Sequence, residues 1–89
     1  MSMQIEEVKK IVEQAMPGAQ VKVKDLTGTQ DHFQVEVVSE AFRGKMLIQQ
    51  HLMVQAPLKE YVNDERIHAL SIRTYTPEEW GKNNLVSLE

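Results

Sequence analysis

The 89-residue chain contains no cysteine. That absence removes disulfides, a thiol nucleophile and any iron–sulfur or zinc–thiolate site built from this chain alone, and it fits a reducing compartment. Basic residues are also in short supply: ten Lys and Arg stand against thirteen Asp and Glu, for a formal net charge of −3. General affinity for nucleic acid normally shows as a strong positive excess, so this balance weighs against it. No apolar run approaches the ~20 residues of a membrane-spanning helix. The amino terminus, MSMQIEEVKK, has neither the basic nor the apolar segment of a signal peptide. A cytoplasmic protein without membrane association is expected. Repeats, low-complexity segments and linkers are missing as well. What remains, 42% apolar residues, suits one small domain over 1–89 with a single core and a loosely ordered tail after about residue 81.

The plainest stretch is Ile67 to Trp80, IHALSIRTYTPEEW. Ile67 to Tyr75 reads as a strand, with Leu70 and Ile72 on one face and Ser71 and Arg73 on the other. Thr76 then starts a helix: Pro77 occupies the first helical position and Glu79 completes a T-x-x-E capping box. Trp80 is the apolar group that fastens this helix to the domain. His68, two residues before Leu70, is placed on the core-side face at the head of the strand.

Upstream, Ile5, Val8, Ile11, Val12, Ala15 and Met16 recur at helical spacing until Pro17-Gly18. Val21 to Asp25 and His32 to Val38 alternate as a hairpin whose loop, Leu26 to Asp31, exceeds the tight two-residue kind. Ser39 caps a short turn over SEAF, and Gly44 ends it. Lys45 to Ala56 is expected as a longer helix whose Leu47, Ile48, Leu52 and Val54 supply apolar surface. Pro57 begins a further helical turn. The order α-β-β-α-α-β-α predicts an α+β domain, a three-stranded sheet with helices on one face.

The F-x-G-K of Phe42 to Lys45, the QQHLMV of Gln49 to Val54, and IHALSI followed by TPEEW together resemble the BolA family over nearly the whole chain. The resemblance implies a fold similar to a type II KH domain. It also implies a partner rather than a reaction of its own. Members associate with monothiol glutaredoxins and share a bridging 2Fe–2S cluster, for which the glutaredoxin brings a cysteine and a bound glutathione. The BolA-like chain brings the histidine before A-L-S-I, here His68, and a second ligand from the hairpin loop. Imidazole can replace thiolate on one iron of such a centre and raises its potential. Many relatives carry a cysteine four residues before the phenylalanine of the second strand, where this chain has Thr29. His32 or Asp31 or solvent is therefore expected to complete the site with His68. The hairpin loop near Thr29, with Gly44 and Lys45, is expected to frame the docking face, on a chain that alone is a monomer or weak dimer.

Read from the residues alone, His68 is a satisfied, partly buried histidine and His32 an exposed one on the face opposite Phe33. His51 lies where relatives often carry a basic R-H-R cluster, which here is Gln50-His51-Leu52. The runner-up function is a DNA-binding regulator using the helix-turn-helix-like pair around Gly44. It would rely on Arg43, Lys45, His51 and Arg73, few cations for phosphate contact. Ser39 and Ser71 are explained as cap and strand exterior, so an enzyme is not expected.

Overall fold

Phe33, Val35 and Val37 alternate with polar neighbours, and this segment is the central strand of the sheet, β2 (His32–Val38). The computed structural model describes residues 3–28 and 31–81. On one side β2 pairs antiparallel with β1 (Gln20–Asp25), and on the other it pairs parallel with β3 (Ala69–Tyr75). The register lines up Val23, Val35 and Ile72 in one row and Val21, Val37 and Thr74 in the next. Side chains in such rows share a face, so the sheet presents one apolar side. Helix α1 (Ile5–Ala15) covers it with Val8 and Val12, joined by Met16. Val54 of α2 (Leu47–Gln55), Leu58 of the 3₁₀ turn Ala56–Leu58, and Ile67 close the remainder, with Phe33 and Phe42 fully buried among them. Tyr61 and Val62 of α3 (Lys59–Asn63) pack at the margin.

Because β2 and β3 run parallel, the chain must return the length of the sheet between them. The return starts with a capped 3₁₀ turn, Glu40–Phe42, in which the Ala41 N–H donates to Ser39 Oγ (3.0 Å). Gly44 follows at φ +78°, a conformation costly for a side-chain-bearing residue. Met46 is then extended (ψ 155°), so α2 begins at Leu47, two residues later than the apolar spacing predicts. Gln50 ties this end together. Its Nε2 donates to the carbonyls of Phe42 (3.1 Å) and Lys45 (3.0 Å), and its Oε1 accepts from the Thr74 hydroxyl (2.6 Å). Thr74 is buried, and this bond satisfies its hydroxyl.

The apolar residues of α2 do not do what their spacing suggests. Val54 is buried, but Leu47, Ile48 and Leu52 are 63%, 66% and 55% exposed, and Met46 before them 69%. The inward side of this helix carries half-buried Gln50 and buried Val54, which turns the opposite side to solvent.

At the end of β3 the T-x-x-E box forms in full: the Thr76 N–H donates to Glu79 Oε1 (2.8 Å) and the Glu79 N–H to Thr76 Oγ (3.3 Å). Residues 77–81 are helical. Trp80 lies against Tyr75 (ring centroids 5.3 Å apart) and beneath Lys22 Nζ (5.4 Å), both on the second face of the sheet. The expected tail beyond about 81 lies outside the described residues, as does Thr29. Among the described residues, no helix is long and apolar enough to cross a membrane.

Candidate functional site

The parallel register that pairs His32 with Ala69 brings the residue before β2, Asp31, opposite the residue before β3, His68. The backbone closes the junction: the carbonyl of Asp31 accepts from the N–H groups of His68 (2.7 Å) and Ala69 (3.2 Å). Side chains then complete a cluster. Nδ1 of His32 is 2.6 Å from Oδ1 of Asp31, and Nδ1 of His68 is 3.3 Å from Oδ2 of the same carboxylate. The two imidazoles meet edge to face, with centroids 6.1 Å apart and planes at 82°. A carboxylate only accepts, so the His32 proton belongs on Nδ1. No partner among the described residues engages Nε2 of either ring.

His68 is not on the core side. Its side chain is half exposed (50%), against 38% for His32 and 21% for Asp31. Alternation holds within β3 but stops at Ala69, and Ile67 takes the core position instead. Ring accessibility is what ligation of an outside metal needs, and this geometry provides it. Among the described residues, no three His, Cys, Asp or Glu are grouped to hold an ion by themselves. The donor set is two imidazoles and a carboxylate already occupied with orienting them, which suits a site completed by another molecule. A carboxylate behind the ligating imidazole is the usual way to fix its tautomer and orientation.

The other predicted residues lie elsewhere. Gly44 and Lys45 are exposed beside Gln50, which reaches Thr74 near the far end of β3. Thr74 is six residues past His68 on an extended strand, a separation of roughly 20 Å at 3.3 Å per residue. The residues of the DNA-binding alternative do not gather into one surface. Arg43 is engaged by Glu40 through two hydrogen bonds (2.8 and 2.9 Å). This pairing holds the Glu40 carboxyl below its ordinary range and raises the Arg43 guanidinium. Arg73 pairs with Glu36 in register and points to the face opposite Thr74, away from Lys45 and half-buried His51. The sequence offers Asp31 only as a possible ligand. Its role as the bridge between two rings has no local signal and follows only from the parallel register.

A three-stranded mixed sheet with a helical crossover defines a small α+β module of the BolA type. The chain belongs to the BolA-like protein family, whose model matches residues 4–79. Among curated relatives it is similar to the acid stress protein IbaG of Escherichia coli K12, 38% identical over 81 residues that cover 91% of this chain and 93% of the relative. A BolA-like protein of Dictyostelium discoideum is 46% identical over 57 residues, covering 64% of this chain and half the length of that relative. Among solved structures, a BolA-like protein of Babesia bovis superposes with a TM-score of 0.79 at 25% identity, covering 94% of this chain and 96% of that one.

Proposed function

We propose that this chain is a non-catalytic partner of a monothiol glutaredoxin and contributes His68 and His32 to a shared 2Fe–2S cluster. The observation that carries the reading is the single carboxylate of Asp31 lying against Nδ1 of both rings, with Nε2 of neither engaged among the described residues. With no cysteine in the chain, thiolate ligands must come from the partner and its glutathione. Two imidazoles on one iron and two thiolates on the other is a known ligation for such a centre. Bound between the two proteins, such a cluster supplies one-electron chemistry and a transferable iron–sulfur unit. The residues of this chain hold the pair of rings at fixed spacing, fix the His32 tautomer through Asp31, and leave the site open on the side from which a partner approaches. The partner docks at the amino end of β2 and β3, where the hairpin loop also lies. Gly44 and Lys45, at the other end, are outside that face.

The test is reconstitution of this chain with a monothiol glutaredoxin, glutathione, iron and sulfide. A coloured heterodimer is expected by size exclusion and visible circular dichroism. His68→Ala should abolish the visible signal, and His32→Ala should change its shape or weaken it. Nitrogen hyperfine coupling in the reduced cluster should disappear in the double variant. Unchanged absorption and complex formation with His68→Ala would end the reading. DNA binding is the lesser alternative, since Arg43 is engaged and Arg73 faces away. A mobility shift at physiological salt that is lost with Lys45→Ala would reverse that ranking.

A further inference from the structure

The solvent side of α2 has no function in the reading above. Ile48, Leu52 and Ala56 follow one another at four-residue spacing, which stacks them in a single stripe, with exposed Leu47 and Met46 beside its start. Below Leu52 the stripe runs into a shallow groove between α2 and α3. This groove, of about 390 Å³, is lined by Leu52, Gln55, Ala56, Lys59, Val62 and Asn63. An exposed contiguous apolar strip rimmed by polar groups marks an interaction surface more often than an accident of packing.

Charge identifies the occupant. Between Glu40 and Glu60 there is no Asp or Glu, although the chain carries thirteen acids and a net charge of −3. The same stretch holds Arg43, Lys45 and Lys59, and only Arg43 is engaged by a carboxylate among the described residues. Lys45 and Lys59 therefore stand free at the two ends of the apolar stripe. We infer that this face binds an amphipathic helical segment of another protein, with its apolar side in the α2–α3 groove and acidic residues against Lys45 and Lys59. Helix-in-groove recognition uses anchors at this spacing. A second copy of this chain fits less well, because it would set one lysine-flanked stripe against another. Four exposed apolar side chains also fall far short of the roughly 20 residues a side of a stable interface. An anionic membrane fits less well too, since two free lysines are below the 4–8 clustered cations that such surfaces select.

The inference does not rest on iron or glutaredoxin, and its test omits both. The probe is a labelled synthetic helix of 16 residues with leucines at i, i+4 and i+7 and glutamates on both flanks. A control peptide carries lysines in place of the glutamates. Fluorescence anisotropy should show saturable binding of the acidic peptide and at least tenfold weaker binding of the control. Ile48→Glu with Leu52→Glu, both at exposed positions, should weaken binding about tenfold or more, the effect expected from losing buried apolar contact. Lys45→Glu with Lys59→Glu should reverse the preference toward the lysine peptide. Circular dichroism checks that both variants are folded. Equal affinity for the two peptides, or wild-type binding by either variant, would overturn the proposal. So would uptake onto phosphatidylserine vesicles that needs Ile48 and Leu52 when the peptide does not bind. Sedimentation as a dimer that Ile48→Glu dissociates, again without peptide binding, would assign the face to self-association instead.

Discussion

The two ends of the sheet are built from similar materials and treated in opposite ways. At the carboxyl end, Gln50, Thr74, Phe42, Ser39 and the Thr76–Glu79 box join loop to strand with hydrogen bonds inside the protein. At the amino end, a single carboxylate bonds one imidazole and lies 3.3 Å from the other, and among the described residues the outer nitrogen of each is unengaged. A domain of this size has little stability to give away. The contrast shows where it concentrates its internal bonds and where it leaves side-chain nitrogens accessible.

Substitutions at the two ends should break or sharpen this contrast. The largest effect is expected from Phe42→Ala, which empties a fully buried aromatic site at the closed end and should lower unfolding free energy by about 3–5 kcal/mol, measured in urea. Next, Gln50→Leu leaves the buried Thr74 hydroxyl and the Lys45 carbonyl without this partner, while the Phe42 carbonyl keeps the Lys45 N–H, and should cost about 1–3 kcal/mol. At the open end, His68→Ala should change stability by less than about 0.5 kcal/mol, as expected for a half-exposed position whose backbone bonds remain. If His68→Ala proved as damaging as Phe42→Ala, the amino end would be structural rather than a binding site. The smallest effect concerns Glu40, whose pKa in the folded protein is lowered by its hydrogen bond to Arg43. A depressed carboxylate pKa contributes stability above the unfolded pKa and loses it as pH falls through the folded value. The small melting-temperature deficit of Glu40→Gln at neutral pH should therefore shrink in acid, and a deficit that grew in acid would contradict the pairing.

Much of the framework was legible because local chemistry and final environment agree. In β2 the apolar side faces the core and the polar side does not, so alternation gives both of its ends, His32 and Val38. Thr76, Pro77 and Glu79 announce a helix start that needs nothing from the rest of the fold. Helix α2 departs from its sequence pattern for a physical reason. Periodicity shows that Leu47, Ile48 and Leu52 cluster, but it does not say whether a neighbour covers them. Here the buried side is decided by Gln50 reaching a threonine 24 residues away. His68 leaves the core side because the two-residue period does not continue past the point where β3 begins. The meeting of His32 with His68 lay beyond local pattern altogether, since parallel register is a long-range property.

That long range has a consequence for when the site exists. The histidines stand 36 positions apart (32 to 68), and they become neighbours only once β3 has docked as the sheet's last and outermost strand. Pairings across such a crossover are entropically late in folding. A nascent chain released before residue 68 has no such histidine pair, and a mature one that momentarily lets β3 peel away loses it again. Under the proposed function, competence for metal would thus report on completeness of the fold itself.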